Sequence, residues 1–247
     1  MTEPLVTVVI PSLNQARYLP AAIESVVQQS VATEIFVMDG GSTDGSVAII
    51  KNYEDDLAGW VSAPDGGQAA AINAGVALGT APFVCWLNSD DILLEDGLLN
   101  LYACLTEASA APAAYGRALH INATGQKVGS YLSFDFSERL LANYCFICQP
   151  ATLIRRSCFT EVGGLDENLE LAMDYDLWWR LFRAFGQLKL TGQICAANRR
   201  HSATKTQNNL DQHYDESIGV VQRHYGSVPL KWHLMRPIMR GLRALGV

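Results

Sequence analysis

Short apolar runs alternate with amphipathic segments through the first ninety residues of the chain. Residues 5–10 are rich in β-branched side chains and stop at Pro11, which is typical of a strand buried on both faces. Residues 18–29 instead carry apolar side chains at helical spacing. The pattern continues and predicts strands at 34–38, 60–62 and 83–87, and helices at 46–53 and 68–78. Strands and helices in this alternation predict an α/β fold with a mostly parallel central sheet flanked by helices.

The second half of the chain is less regular. Residues 119–133 have the pattern of extended strands around a turn at 122–125, and residues 136–143 indicate a short helix. Residues 175–185 predict an amphipathic helix, with an apolar face made of Leu177, Trp178, Leu181 and Phe182. We find no internal repeat and no low-complexity linker in the sequence.

Two adjacent carboxylates, Asp90 and Asp91, follow the apolar run at 83–87. Buried charge is costly unless it is paired or bound to a metal, and α/β sheets bind ligands at the carboxyl ends of their strands. Carboxylate oxygens favour a divalent cation such as Mg²⁺ or Mn²⁺, which keeps positions open for phosphate groups. The competing interpretation is a helix starting near Ile92, with Asp90 or Asp91 as its N-cap. The residues alone leave these two interpretations evenly balanced.

Composition narrows the class of protein. The 247 residues suit one large domain or one domain with an appendage, and 49% of them are hydrophobic, enough for a large core. The net charge of −7 argues against nucleic-acid binding, which normally needs a basic face. No secretory signal and no apolar run long enough to span a membrane are visible in the sequence. We therefore expect a cytoplasmic protein.

The six cysteines are scattered, which suits a reducing compartment better than a disulfide framework. Cys145 and Cys148 have the spacing of a redox or zinc motif, but neither a second such pair nor a nearby histidine pair accompanies them. We interpret these two cysteines as packing residues.

Seven motifs, in order between residues 5 and 205, resemble those of the inverting family 2 glycosyltransferases. They are Val8-Val9-Ile10-Pro11-Ser12-Leu13-Asn14, Met38-Asp39-Gly40-Gly41-Ser42-Thr43-Asp44-Gly45, Asp65-Gly66-Gly67-Gln68 with Ala71-Ile72-Asn73, Trp86-Leu87-Asn88-Ser89-Asp90-Asp91, Gly163-Gly164-Leu165-Asp166, Met173-Asp174-Tyr175-Asp176-Leu177-Trp178 and Arg200-His201-Ser202. The resemblance implies a GT-A fold, which is Rossmann-like with a mostly parallel sheet. It also implies transfer of a sugar from a nucleoside diphosphate sugar, most simply a UDP-sugar, to a hydroxyl of a glycan or lipid-linked acceptor.

The same resemblance assigns roles to the acidic residues. Asp91 matches the metal ligand, Asp90 contacts the ribose or the metal through water, and His201 reaches the metal or the diphosphate. The cofactor is then Mn²⁺ or Mg²⁺. Asp174 matches the general base, although family members often carry Glu-Asp where this chain has Met173-Asp174.

The remaining candidates would bind the nucleotide-sugar. The resemblance places them at Pro11, Ser12, Asn14, Asp39, Asp65, Gln68 and Asn73. Asp39 matches the carboxylate that accepts a hydrogen bond from the base, but an Asp before two glycines is also a common turn former. Ser12 and Asn14 serve equally well as loop and cap residues. Asp65 to Gln68 has the same ambiguity, because such a segment also makes a turn into a helix.

These assignments divide the chain into a glycosyltransferase domain at 1–205 and a C-terminal helical extension at 206–247. Within the domain, residues 1–115 would hold the nucleotide-sugar and residues 116–205 the acceptor. Two other functions compete: a nucleotide-sugar-binding protein without turnover, and a sugar-nucleotide pyrophosphorylase. A pyrophosphorylase is expected to have a glycine-rich loop with basic residues after its first strand, and this sequence has no such loop there.

The tail at 231–247 has four basic residues and no acidic residue. Its apolar residues fall on one side of a helix predicted to begin near Pro237, and the arginines fall on the other. This pattern is typical of a helix that lies on an anionic membrane. A terminal helix packed on the domain, or on a second copy in a homo-oligomer, gives the same pattern, so both interpretations stand.

Overall fold

The computed structural model describes residues 3–202, 205 and 209–244, with the side chains of 240–244 left out. Its strands are β1 (Val6–Ser12), β2 (Thr33–Asp39), β3 (Gly59–Ser62), β4 (Phe83–Trp86), β5 (Ile92–Leu93), β6 (Ala113–Ile121), β7 (Lys127–Tyr131), β8 (Thr152–Arg155) and β9 (Lys189–Arg199). Its helices are α1 (Leu19–Val27), α2 (Ser46–Asn52), α3 (Gln68–Leu78), α4 (Gly97–Glu107), α5 (Glu138–Asn143), α6 (Arg156–Glu161), α7 (Met173–Phe185), α8 (Leu210–Tyr225) and α9 (Leu230–Ala244). Two short 3₁₀ turns lie at Glu54–Asp56 and Gln149–Ala151.

One sheet runs through the described residues, in the order β3-β2-β1-β4-β8-β6-β9-β5, with β7 paired to β6. The strands β3, β2, β1 and β4 are parallel to one another, whereas β8 joins β4 antiparallel. Helices flank this sheet, so the predicted α/β class is confirmed. Parallel pairing is found mainly in the first half of the chain. Strand β6 crosses residue 115, where the sequence analysis expected the boundary between the nucleotide-sugar half and the acceptor half.

The central strands are apolar because helices cover both faces of the sheet. Every residue of β1 and β4 is buried. β1 continues through Pro11 to Ser12, two residues beyond the predicted end. Pro11 is tolerated because β4 pairs with β1 only as far as Val9, so its missing N–H removes no ladder bond on that side.

The competing interpretation of Asp90 and Asp91 as a helix cap is wrong. Ile92 and Leu93 form β5, which pairs antiparallel with Ala197 and Ala196 of β9, and the next helix begins only at Gly97. The carboxylates therefore lie between two strands, and β9 supplies their partners. Sequence pattern could not show this, because β9 lies a hundred residues further along the chain.

The C-terminal helix α9 begins at Leu230 and contains Pro237, so the predicted start near Pro237 is wrong. Trp232 anchors the helix, since it is buried and its Nε1 donates a hydrogen bond to the carbonyl of Ala142 over 2.8 Å. Arg236 donates two hydrogen bonds to the carboxylate of Asp215 on α8. The described part of the tail thus packs on the domain. None of the described helices is long and apolar enough to cross a membrane.

A buried carboxylate, Asp176, ties α7 to α8. It accepts a hydrogen bond from Nε of Arg180 at 2.6 Å, lies 2.8 Å from Nε2 of His224, and lies 3.3 Å from Arg223. Burial opposes its charge, but the bonds from His224 and Arg180 outweigh this effect and lower the pKa of Asp176. Asp176 and Arg180 are four residues apart on α7, so this ion pair lies along one face of the helix.

We expect Asp176→Asn to lower the free energy of unfolding by about 3 kcal/mol, because it removes the buried charge that pairs with Arg180 and holds α7 to α8. Urea denaturation at neutral pH measures the change. Asp55→Asn, which removes a charge from an exposed turn, is the matched control and should have little effect. Equal stability of both variants would show that the Asp176 cluster does not stabilise the fold.

Candidate functional site

The carboxyl ends of the parallel strands meet at one edge of the sheet. The register pairs Ser12 with Asp39 and Val9 with Trp86, so the segments after β1, β2 and β4 emerge side by side. Two cavities open at this edge. The smaller cavity has a volume of about 430 Å³ and the larger cavity about 650 Å³.

The smaller cavity brings together most of the predicted nucleotide-sugar residues. Its lining includes Pro11, Ser12, Asp65, Gln68, Asp90, Asp91 and Asp174. The Ser12 hydroxyl is buried and has no hydrogen-bond partner within the described part of the chain. A buried polar group without a partner is costly, so this hydroxyl is available to a polar ligand in the cavity.

Asp65 and Gln68 lie where the loop after β3 turns into α3. Asp65 Oδ1 accepts a hydrogen bond from the backbone of Gly67 at 2.8 Å, and Gly67 has a φ of 105° that favours glycine. Gln68 is the first residue of α3, and its Nε2 donates to Oδ1 of Asn88 over 2.7 Å. The turn-forming role and the cavity-lining role therefore coexist at Asp65.

Asp91 is only 1% exposed, and it lines the smaller cavity. Its Oδ1 accepts from the backbone N–H of Arg199 at 2.7 Å, and Asn198 donates to both of its oxygens. Burial, and secondly the charge of Asp90, raise the pKa of Asp91 well above its usual range. Hydrogen bonds alone offset poorly the repulsion between two carboxylates this close and the cost of burying one of them. A bound cation would offset both the repulsion and the cost of burial.

His201 lies beside this pair. Its Nε2 is 2.9 Å from Oδ2 of Asp90, and its ring packs against Tyr18 with centroids 4.8 Å apart. Arg199 also supports Asp90, donating from Nε to its carbonyl over 2.7 Å. Asp90, Asp91 and His201 are thus brought together as the sequence suggested. Within the described ranges, however, no set of three or more His, Cys, Asp or Glu side chains is arranged to hold a metal ion by itself.

Asp39 lies at the end of β2 but does not line either cavity. Its carboxylate accepts hydrogen bonds from the backbone of Gly41 and Ser42, and from the hydroxyls of Ser42 and Ser62 at 2.5 and 2.7 Å. Four donors occupy the carboxylate and hold the loop against β3. This geometry favours the turn-forming interpretation of Asp39, and its contact with the base stays a prediction.

Asn14 and Asn73 also lie outside both cavities. The side chain of Asn14, at a φ of 52°, accepts from the backbone of Thr43 over 2.9 Å. Asn73 on α3 bonds both the N–H and the carbonyl of Leu165, at 2.9 and 3.0 Å. Both asparagines join distant segments of backbone, so their roles in binding the nucleotide-sugar stay predictions.

Asp174 lies in the first turn of α7 and lines both cavities. Its Oδ1 accepts a hydrogen bond from the backbone N–H of Tyr175 at 2.7 Å. Burial raises the pKa of Asp174 to about 6, partly opposed by that bond. A carboxylate with a pKa near neutrality can accept a proton from a bound hydroxyl, which is what a general base requires.

Asp174 belongs to a wall that separates the two cavities. The residues common to both linings are Asn88, Gln149, Leu171, Asp174 and Asn198. Gln149 was missed by the sequence analysis; its Nε2 donates to the Trp86 carbonyl over 2.7 Å, while its buried Oε1 has no described partner. The sequence did offer one signal for this residue, because a glutamine inside an apolar stretch indicates a buried polar side chain.

Glu216 on α8 was also missed. One of its oxygens accepts hydrogen bonds from three consecutive backbone N–H groups, those of Glu170, Leu171 and Ala172, at 2.8 to 3.1 Å. These residues lead directly into the turn that carries Asp174. Glu216 therefore positions the start of α7, and only the tertiary fold shows this.

Comparisons with known proteins place the chain in a family. The family model described as "Glycosyl transferase family 2" matches residues 7–163, well over half of the chain. A "PGL/p-HBAD biosynthesis glycosyltransferase" of Mycobacterium tuberculosis is 30% identical over 187 residues, covering 74% of this chain and 71% of that protein. A "Chondroitin synthase" of Pasteurella multocida is 26% identical over 224 residues, covering 89% of this chain and 23% of the synthase. The chain thus spans less than a quarter of the synthase's length.

Solved structures with a similar fold agree. TarS 1-349 of S. aureus, in complex with UDP-GlcNAc, superposes with a TM-score of 0.72 at 16% identity, covering 92% of this chain and 68% of that one. The mannosyltransferase PcManGT of Pyrobaculum calidifontis, in complex with GDP-Man and Mn²⁺, gives a TM-score of 0.68 at 17% identity. The superposition covers 97% of this chain and 69% of PcManGT. The family match and the sequence identity together show that this chain belongs to glycosyl transferase family 2, and its fold is the GT-A fold.

Proposed function

We propose that this glycosyltransferase moves a sugar from a nucleoside diphosphate sugar to an acceptor hydroxyl with inversion at the anomeric carbon. Asp174 removes the proton of the acceptor hydroxyl as its oxygen bonds to that carbon. The bond from the carbon to the diphosphate oxygen breaks, and the diphosphate leaves with the electron pair. One displacement of this kind inverts the configuration.

One observation carries the proposal: Asp174 lies in the wall between two cavities. The smaller cavity, with Ser12, Asp65 and Gln68, suits the donor, and the larger cavity suits the acceptor. A base must reach the acceptor proton while the acceptor oxygen faces the donor's anomeric carbon. A carboxylate shared by both cavities, with its pKa raised to about 6, meets both requirements.

The proposed cofactor is Mn²⁺ or Mg²⁺, held by Asp91 and Asp90 with His201 adjacent. The donor set fits such an ion, because it is rich in carboxylate oxygen and because the pKa of Asp91 is raised by burial and by its neighbour. The protein supplies only part of a ligand set, which suits an ion completed by phosphate oxygens. When bound, the cation would neutralise charge on the departing diphosphate. The PcManGT complex with Mn²⁺ supports this proposal by analogy.

UDP is the proposed nucleotide. We expect UDP with Mn²⁺ to raise the melting temperature by about 5 °C or more at roughly a hundredfold excess over Kd, because ligands that bind only the native state stabilise it. A thermal-shift comparison of UDP, GDP and dTDP, each with and without Mn²⁺, measures this. A larger shift with GDP would redirect the donor assignment, and no shift with any of the three would contradict nucleotide-sugar binding.

The acceptor is proposed to be a glycan or a lipid-linked sugar, and we propose that the C-terminal tail brings the site to an anionic membrane. Leu234 and Ile238 on α9 are more than half exposed, in a tail that has basic but no acidic residues. The engagement of Arg236 with Asp215 removes one cation from that role. Arg240 and Arg243, together with the apolar stripe, carry the proposal.

Replacing Leu234 and Ile238 together by serine should reduce co-sedimentation with anionic vesicles several-fold, since it removes the apolar anchor. Val128→Ser, which removes an equally exposed apolar side chain from β7, serves as the control. If the wild-type protein does not co-sediment with anionic vesicles at low salt, the membrane proposal is wrong.

A further inference from the structure

The larger cavity has an unusual distribution of charge for this protein. The chain has 25 acidic and 18 basic residues, yet among the described residues that line this cavity Asp174 is the sole carboxylate. Two cations, Arg200 and Lys231, line the same cavity. They come from different segments, the end of β9 and the start of α9, and they converge only in the folded protein.

Among the residues that the structure describes, no carboxylate pairs with either cation. The ion pairs among the described residues include neither Arg200 nor Lys231. Arg200 lies 2.9 Å from Nε2 of His120 through one guanidinium nitrogen. Because a guanidinium can only donate, Nε2 of His120 accepts this hydrogen bond, and burial together with the charge of Arg200 lowers the pKa of His120. The histidine orients the guanidinium without cancelling its charge.

Arg200 and Arg199, neighbours in sequence, belong to different cavities. Arg199 is buried, lines the smaller cavity, and lies over the ring of Tyr18 at 5.0 Å. Arg200 is exposed and lines only the larger cavity. The charge of Arg200 is therefore placed away from the proposed diphosphate position and is available to a different anion in the larger cavity.

Aromatic rings line the same cavity as the two cations. Tyr131 and Tyr144 stack with centroids 6.2 Å apart, Lys231 Nζ lies 5.2 Å from the Tyr144 ring, and the buried Trp232 completes that side. Aromatic faces beside a few convergent polar groups are typical of a site for a ligand that is partly apolar, as a sugar ring is. The cavity thus combines a surface for a sugar with donors for an oxyanion.

We propose that the larger cavity binds an acceptor sugar that carries an oxyanion, a phosphate or a carboxylate, held by Arg200 and Lys231 while a hydroxyl of the sugar faces Asp174. This inference rests on the proposed function, because it assigns the acceptor class of the same site. Guanidinium and ammonium groups make strong charge-assisted hydrogen bonds to both kinds of anion. A neutral sugar would offer these two cations no charged group.

Binding tests this proposal without requiring turnover. The 247-residue protein, with UDP and Mg²⁺ in excess to fill the smaller cavity, is titrated with glucose 1-phosphate, glucuronate and glucose, and affinity is measured by ligand-observed NMR. We expect at least one anionic probe to bind about 10-fold more tightly than glucose, since hydrogen bonds to charged groups are the strong ones. Stronger binding of glucose 1-phosphate identifies a phosphate-bearing acceptor, and stronger binding of glucuronate an acidic sugar.

Arg200→Gln and Lys231→Gln should each remove most of the preference for the anionic probe. Lys127→Gln, a charge removal on exposed β7 outside both cavities, should leave it unchanged. Melting temperatures confirm that each variant is folded. If a glutamine variant unfolds, a salt titration of the wild-type protein still tests the proposal. Added salt should weaken binding of the anionic probe and leave binding of glucose unchanged.

Equal affinity for glucose and both anions, or an anion preference that survives Arg200→Gln and Lys231→Gln in folded protein, would overturn the proposal. Failure of the proposed function gives a different result. In that case UDP would not bind, whereas the preference for an anionic probe and its loss in the variants of the larger cavity would still be measured.

Discussion

Asp174→Asn is expected to slow sugar transfer by about 100-fold or more while leaving donor affinity unchanged, because it removes only the group that accepts the proton. The substitution keeps the shape of the side chain and its contact with the N–H of Tyr175. Transfer is measured by release of the nucleoside diphosphate with an acceptor present, and donor affinity by calorimetry. A variant that turns over at the wild-type rate would place the base elsewhere. Donor binding with no transfer by the wild type would favour a binding protein instead.

The same carboxylate predicts how the rate depends on pH. Asp174 must be ionised to accept a proton, and its pKa is about 6. The kcat/KM for transfer should therefore be nearly constant above about pH 7 and fall about tenfold for each unit below about pH 6. A profile that stays flat down to pH 4.5 would show that no group with this pKa acts as the base.

Asp91→Asn is expected to weaken UDP binding in the presence of Mn²⁺ by about 10-fold or more, since loss even of a group that supports a metal ligand typically costs 10- to 100-fold in metal affinity. Binding without the cation should change much less. Calorimetric titrations of UDP with and without Mn²⁺ separate the two effects. Asparagine is preferred to alanine because Asp91 also holds the backbone of Arg199, and a truncation would disturb β9.

Glu95→Gln is the matched control for this variant, because it removes an exposed carboxylate four residues further along the chain. Melting temperatures without nucleotide show whether the fold is intact. If Asp91→Asn binds UDP with an unchanged dependence on Mn²⁺, Asp91 does not hold the ion. The inverting mechanism itself is read from the product, since an α-linked donor should give a β-linked product.

The parallel half of the fold was predictable because its strands are buried on both faces. β1 and β4 consist of continuous apolar residues, so their positions, and the polar segments that follow them, could be located within one or two residues. Helix α3 was predicted at its observed bounds, Gln68–Leu78. The carboxyl ends of parallel strands share one edge of the sheet, which is why Ser12, Asp90 and Asp91 come together.

Residue type alone could not separate turn formers from cavity residues. Asp39 and Asp65 both precede glycines, but the hydroxyls of Ser42 and Ser62 occupy Asp39, whereas Asp65 faces the smaller cavity. That difference depends on which strand lies beside each loop. Asn73 is likewise held by distant backbone, because its side chain bonds both the N–H and the carbonyl of Leu165, nearly a hundred residues away, and its role in binding the nucleotide-sugar stays a prediction.

The residues that position the base were beyond the reach of sequence pattern. Glu216 reads as one of several acidic residues on an amphipathic helix, and nothing local shows that it binds the backbone of residues 170–172. Asn198 and Gln149 acquire their places only when β9 and the turn after Cys148 close around Asp174. Such contacts follow from the packing of distant segments.

The wall common to the two cavities has a consequence for inhibitor design. Because Asn88, Gln149 and Asp174 border both cavities, a single molecule could fill one and extend past this wall into the other. A bisubstrate compound, with a nucleotide tethered to an acidic sugar, would present its second half at high effective concentration once the first is bound. The affinity of such a compound should depend steeply on tether length, so a series of tethers would measure the distance between the two ligands in solution.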